Sequence, residues 1–207
     1  KFIDNKYNGE WTFYHHYGEV HAKGTFKNQD TIGMGSSGVP IAGRDGLWRF
    51  WYENGQLKSE YNYVNGNEEG LFRKWYENGQ LKSEYNYVND KVEGLLRGWF
   101  ENGHGQLELE ANYVNDKVEG LFRVWFESGQ LAIEENYVSD KLEGLSRSWY
   151  ENGQLKRKGQ YKKGKYEGLS LIWHENGQLR EEGQYKNGNE EGIWRFWNKN
   201  GKSNGSS

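Results

Sequence analysis

A glycine recurs at a fixed step through most of this chain. Gly46, Gly70, Gly94, Gly120, Gly144, Gly168 and Gly192 lie 24 residues apart, with one interval of 26. Trp51, Trp75, Trp99, Trp125, Trp149, Trp173 and Trp197 keep the same step. A short exact period is the signature of stacked supersecondary units, each unable to bury its own apolar surface alone. The unit reads G-L-x-R-x-W-(Y/F)-E-N-G-Q-L-x-x-E-x-N-Y-V-N-x-x-x-E. The longer interval is local: Glu101-Asn102-Gly103-His104-Gly105-Gln106 replaces the usual Glu-Asn-Gly-Gln. A degenerate copy starts at Gly9, with Tyr14 at the tryptophan position, Gly18 at the turn glycine and Val20 at the leucine. After Phe26 an insertion spans roughly residues 28–45. Counting back from Gly9, Phe2 falls on the repeat's tyrosine and Tyr7 on the position of Tyr166, so the chain opens inside a repeat.

Within a repeat the polarity alternates with period 2, and Asn-Gly separates the two runs. That pair is the strongest short-range hairpin signal, because a type I′ turn needs positive φ at both central residues. No 3.6-residue periodicity competes with it. The sequence therefore predicts an all-β fold: an elongated, single-layer antiparallel meander of tandem 24-residue hairpins, open-ended, twisted and solenoid-like. Seven to eight repeats at two strands each give roughly 70 Å of sheet. A two-residue turn at Asn54-Gly55 opposes Glu53 to Gln56, Tyr52 to Leu57 and Arg49 to Glu60. The same rule opposes Arg73 to Glu84, Arg97 to Glu110 and Arg123 to Glu134, all opposite charges. Arg147 against Lys158 breaks the series.

The two faces then differ. One carries Leu47, Arg49, Trp51, Glu53, Lys58, Glu60 and Asn62 and hardly changes between repeats. The other carries Trp48, Phe50, Tyr52, Leu57, Ser59, Tyr61 and Tyr63, and it varies: Trp48 becomes Phe72, Leu96, Phe122, Ser146, Ser170 and Trp194, while Phe50 becomes Lys74, Gly98, Val124, Ser148 and Ile172. Positions that stack alike in every repeat should stay alike, so the varying face is expected to meet solvent or a partner. Its candidate partner-binding residues are Trp48, Phe50, Tyr52, Phe72, Lys74, Tyr76, Phe100, Phe122, Phe126, Tyr150, His174 and Trp194.

Composition supports a thin, aromatic-rich structure. Only 34% of residues are hydrophobic and mean hydropathy is −1.11, yet 16% are Phe, Trp or Tyr. Disordered chains are poor in aromatic residues. Here the rings must supply the burial that aliphatic side chains supply elsewhere. A net charge of −3 with interspersed signs gives no nucleic-acid stripe. The basic stretch from Lys156 to Lys165 reads as a solvated hairpin face. There is no cysteine, hence no thiol chemistry.

Catalysis finds no foothold. His15, His16, His21, His104 and His174 do not recur in register, and His15 and His16 should point to opposite faces of a strand. Glu53, Glu77, Glu101, Glu127 and Glu151 form a ladder at the hairpin shoulders, which reads as structural. The glycines of Ile32-Gly33-Met34-Gly35-Ser36-Ser37-Gly38 lack the lysine and helix of a phosphate loop, so this insertion reads as a flexible surface loop. No catalytic, metal-binding or cofactor-binding residue is expected. The single repeat domain runs over residues 1–202, and residues 203–207 read as a disordered tail or an expression remnant. No segment reads as a signal peptide, and a start at Lys1 rather than Met points to upstream sequence. That gives an envelope or secreted location a slight edge.

The repeat, W-Y-E-N-G-Q-L-K-S-E-Y-N-Y-V-N-G-N-E-E-G in residues 51–70, resembles the MORN-repeat superfamily and more closely its bacterial variant. The resemblance covers Gly9 to Gly201 apart from the insertion. It implies an extended antiparallel scaffold for binding, since some bacterial relatives are described as antitoxins and eukaryotic ones are linked to protein assembly and membrane lipids. The expected function is thus a non-catalytic scaffold with a protein partner, antitoxin-like or an envelope adaptor. Glycan or cell-wall binding through the regularly spaced Trp and Tyr rings, membrane-lipid association, and end-to-end or edge self-association are the weaker alternatives.

Overall fold

The computed structural model describes residues 2–3, 6–29, 37–102 and 105–206; of residues 2, 3, 6, 28 and 29 only the backbone is described. Residues 30–36, with Gly33 and Gly35 of the insertion, and Gly103 and His104 of the lengthened tip lie outside these. Every regular element among the described residues is a strand, and every pairing is antiparallel. The chain divides into two compact halves, Lys1–Gly105 and Gln106–Ser207.

In the first half the meander runs through Lys6–Tyr14, Val20–Gln29, Arg44–Trp51, Leu57–Val64, Gly70–Trp75, Leu81–Val88 and Lys91–Trp99. Phe2 pairs with Tyr7 as Tyr161 pairs with Tyr166 in the second half, so the first described residues take the repeat's link register. Tyr14 pairs with Val20 as Trp51 pairs with Leu57, which gives the degenerate copy the same hairpin. The second half repeats the pattern through Leu107–Val114, Lys117–Trp125, Leu131–Val138, Gly144–Trp149, Leu155–Lys162, Gly168–Trp173, Leu179–Lys186 and Asn189–Trp197.

The turn chemistry is the reverse of the expected one. At Asn54-Gly55 only Gly55 has positive φ. Its N–H donates to the Tyr52 carbonyl at 3.0 Å, and the Asn54 side-chain oxygen accepts from the Gln56 N–H at 2.9 Å. This is a type I turn closed by a left-handed glycine, which adds a residue to the loop. Hence Arg49 does oppose Glu60, but Leu57 opposes Trp51 rather than Tyr52. The type I′ turns sit at the other links, where Asn65-Gly66, Asn89-Asp90, Asn115-Asp116 and Ser139-Asp140 have positive φ at both residues. The repeat-opening glycine has its own reason. Between the Tyr63–Glu68 and Glu60–Arg73 pairs the register slips, and Gly70 takes φ 80° in that bulge.

Arg49, Glu60, Arg73, Glu84 and Arg97 oppose one another in turn across successive strands of the first half. Arg49–Glu60 closes to 2.6 Å and Arg73–Glu84 to 2.7 Å. Arg147 does oppose Lys158, and it turns to Glu134 on its other neighbour. These pairs lie on an exposed face, where each contributes at most about 1 kcal/mol.

The end of the chain departs from expectation. Ser203–Ser206 is a strand, paired to the preceding one through Trp197–Ser203 and Phe196–Gly205. Asn198 and Gly201 rebuild the usual tip, and backbone pairing at an open edge asks little of side-chain identity.

Candidate interaction surface

The varying face is the packed face, and this corrects the sequence reading of it. Trp48, Phe50, Phe72 and Trp194 are buried, with Trp48 wholly inaccessible. The unvarying face is the open one, with Leu47, Leu71, Leu95, Leu121 and Leu169 all exposed. Variation there reflects compensation along a row of cross-strand neighbours, not freedom from packing. The Trp48 ring lies on Gly24, where an added Cβ would come within 2.1 Å of it, and Trp194 lies on Gly183 in the same way. Phe122 sits beside Ala111, half-buried, with its ring 5.6 Å from Tyr137. Lys74 is half-buried between Ser59 and Ser83. At these positions a large group on one strand meets a small one on the next, while Trp48–Tyr61 and Phe72–Tyr85 pair two rings directly.

Four other candidates are struts between repeats. The hydroxyls of Tyr52, Tyr76 and Tyr150 each donate to the carbonyl of the next repeat's tryptophan at 2.8 Å, and His174 Nε2 reaches that of Trp197 at 2.9 Å. His15, at the same position of the degenerate copy, reaches the Trp51 carbonyl at 3.1 Å. Phe100 and Phe126 occupy the position, half-buried, without a polar tip. Asn54 donates to the Glu77 carbonyl one repeat on, and Asn152 to that of Glu175. At the opposite links, Glu69 and Glu143 accept the turn N–H groups of Asn89 and Lys163. Repeated identity therefore marks the residues that satisfy backbone groups between repeats.

The first half holds a cavity beside the insertion. The cavity, of about 340 Å³, is lined by His21, Ser37, Ile41, Arg44, Phe50, Lys58, Ser59, Tyr61, Tyr63 and Glu68. Part of the insertion walls it: Val39 and Pro40 are buried, so the described end of that loop packs rather than lying free on the surface. Arg44 holds it there. Its Nε donates to the Pro40 carbonyl at 2.8 Å, Nη2 to the Val39 carbonyl at 3.3 Å and Nη1 to the Tyr63 hydroxyl at 3.0 Å. The guanidinium, in a residue only 5% exposed, lies 4.8 Å from the Trp48 ring centre and 5.2 Å from that of Phe50. The Tyr63 hydroxyl in turn donates a hydrogen bond to Glu68 at 3.2 Å. Burial pushes the Tyr63 and Tyr61 phenols up, against the opposing pull of Arg44.

His21 meets His15 across the degenerate hairpin, Nδ1 to Nε2 at 3.4 Å, and its Nε2 reaches the Ser37 carbonyl at 2.9 Å. Burial lowers the His21 pKa, and His15 and Lys58 lower it further. Alternation along the strand separated His15 from His16 but hid this meeting, which the Tyr14–Val20 register produces. Among the described residues no three His, Asp or Glu side chains form a metal-binding group. Arg44 was also missed. It stands two residues before a repeat glycine, where the other repeats have Glu68, Val92, Val118, Leu142, Tyr166 and Glu190, and that lone cation was the available signal.

The pattern described as MORN repeat variant matches residues 44–65, 68–89, 118–139, 142–163 and 166–187, each match spanning one hairpin and the start of its link. The chain belongs to this family. No curated protein matches the chain. MORN repeats are a non-enzymatic repeat type, generally associated with protein or membrane interactions. The matched stretches begin two residues before each repeat glycine, so Arg44 is the first residue of the first matched MORN repeat.

The MORN repeats of the second half carry a sparser packed face. Glu135, Ser146, Gly159, Ser170 and Gly183 follow one another across its strands. Tyr166 closes over Gly159, and Arg157 stacks on Tyr166 at 4.7 Å. The Tyr137 phenol, partly buried and donating to Glu135 at 2.8 Å, is pushed up to about 12.

Proposed function

We propose that this MORN-repeat chain is a non-catalytic scaffold that binds another protein through the cavity-bearing face of its first half. The observation that carries the reading is the interruption of the repeat. The recurring residues are occupied in joining repeats, whereas the insertion breaks the period and walls a polar cavity with Ser37 and Ile41, beside the buried Arg44. Ile41 and Lys58, both exposed, stand at that cavity within reach of a partner. An antitoxin-like or envelope-adaptor role is a form of this reading, with the partner a toxin or an envelope protein. A photo-crosslinking residue placed in cells at Ile41 or Lys58 should capture a discrete protein, and one at Leu121 or Val138 should not. Capture from the Leu121 and Val138 positions alone would overturn the reading.

A glycan reading is favoured by one feature, the row of half-buried tryptophans from Trp51 to Trp197 at the repeat period. Quenching of tryptophan fluorescence by cell-wall fragments is its test. Unchanged emission would remove it.

A further inference from the structure

The buried cation of the first half has no directly paired counterion among the described residues. Arg44 stays charged at any physiological pH, yet its hydrogen-bond partners among the described residues are two carbonyls and a phenol, and no carboxylate lies within ion-pair distance. Taking a charge out of water without a paired charge is costly, and neutral acceptors with three aromatic rings recover only part of it. Nη1 and Nη2 each have one acceptor and each carries a second N–H.

The cavity beside it has the matching character. Among the lining residues Arg44 and Lys58 face a single acid, Glu68, whose carboxylate already accepts a hydrogen bond from the Tyr63 hydroxyl. With His21 neutral the lining is one positive charge in excess. Phe50, Tyr61 and Ile41 supply apolar wall, which suits an anion with a carbon body rather than a bare inorganic ion. About 340 Å³ is at the small end for ligand sites, enough for one large side chain and not for a folded element.

We infer that this cavity is a carboxylate-binding subsite, seating an acidic side chain or a free chain terminus of the partner against Arg44, with Lys58 at its mouth. The inference rests on the protein-binding reading above and adds the chemistry of the group recognised. A planar carboxylate fits the two spare N–H groups of a guanidinium, and its single charge equals the excess of the lining. A phosphate would bring nearly two charges and meet Glu68.

The test uses the full chain and three capped peptides: acetyl-Ala-Phe-Asp-Ala-amide, its Asn counterpart, and acetyl-Ala-Ala-Phe with a free C-terminus, beside inorganic phosphate. Titration followed by arginine side-chain NMR should show the Arg44 signals moving with one of the two carboxylate peptides at least tenfold more tightly than with the Asn peptide. Which of the two binds identifies the source of the carboxylate. Because Arg44 braces the loop, the variants avoid it: Lys58→Gln should weaken binding severalfold, and Glu68→Gln, which keeps an acceptor for Tyr63, should tighten it. Equal affinity for the Asp and Asn peptides, preference for phosphate, or weakening by Glu68→Gln would overturn the inference. Protein crosslinks at Ile41 with no carboxylate preference would end this inference and leave the scaffold reading standing. Carboxylate selectivity with no crosslinks would do the opposite.

Discussion

The two halves of this chain use one steric device and back it differently. In each, a tryptophan lies flat on a glycine of the neighbouring strand, Trp48 on Gly24 and Trp194 on Gly183, at the same 2.1 Å from where a Cβ would stand. In the first half the indole N–H donates to the Thr25 carbonyl at 3.0 Å, Phe26 meets the ring edge-on at 4.8 Å, and Val39 and Arg44 belong to the same packed cluster. In the second half the indole N–H is buried without a partner among the described residues, as is the Ser170 hydroxyl, and the strand beyond is the short edge Ser203–Ser206. A single-layer sheet has no second layer to press on its rings, so what covers them decides how much each ring is worth. The insertion supplies that cover in one half only.

The largest effect should come from filling the glycine seats. Gly24→Ala drives a methyl into a ring that Phe26 and the bonded N–H hold in place, so a loss of about 3 kcal/mol is expected. Gly183→Ala makes the same clash against a ring with no N–H bond to give up, and should cost roughly half as much. Urea unfolding followed by hydrogen exchange in each half measures both. Equal losses would break the claim that cover, and not the clash itself, distinguishes the halves.

Next comes the brace. Arg44→Met strips the Val39 and Pro40 carbonyls and the Tyr63 hydroxyl of their donor and should cost about 1–3 kcal/mol. Repeats interact with nearest neighbours, so lost amide protection should gather around residues 37–64 and leave the second half unchanged. Protection lost evenly along the chain would mean that the brace acts globally.

How much of this was legible follows from which constraints leave a periodic mark. Strand class, repeat boundaries and the Arg49–Glu60 type of register were readable because each rests on a residue recurring every 24 positions. The degenerate copy was readable too, since Tyr14, Gly18 and Val20 keep the spacing when identity is lost. Turn type was not. Asn-Gly reads as type I′, yet Asn54 uses its side chain to accept from Gln56, while I′ geometry falls to pairs such as Asn89-Asp90 with no glycine at all. Nor was the burial of the varying face. Trp48 looks free to change only if its row is ignored, because Gly24 lies beside it in space and far from it in the repeat alignment. Arg44 shows the limit most clearly. Its function depends on where the insertion folds back, and a loop that occurs once leaves no period to read.

A smaller effect sharpens the comparison at the repeat junctions. Tyr76→Phe removes a hydroxyl bonded at 2.8 Å to the Trp99 carbonyl and should cost about 0.5–1.5 kcal/mol. Phe126→Tyr is the converse in the second half, where the Trp149 carbonyl stands in the equivalent place, and it should raise the unfolding midpoint. A neutral Phe126→Tyr would show that the strut is a consequence of stacking rather than a contributor to it.

The smallest effect is pH-dependent and belongs to the first half. His21 is held neutral by burial, with His15 and Lys58 facing it and Arg44 and Glu68 on the same cavity. Its folded pKa lies below the unfolded value of about 6.5, so the unfolded chain binds the extra proton first. The contribution is therefore complete above about pH 6.5 and is lost as pH falls through the lowered folded value. Protonated Nδ1 would also point at His15 Nε2, which already faces the Trp51 carbonyl. Between pH 7.5 and 5, amide protection around residues 15–21 and 37–41 should fall in the wild type, and His21→Gln should flatten that slope without altering the slope of the second half. A slope that survives the substitution would place the acid sensitivity elsewhere and dissociate the cavity wall from the imidazole pair that lines it.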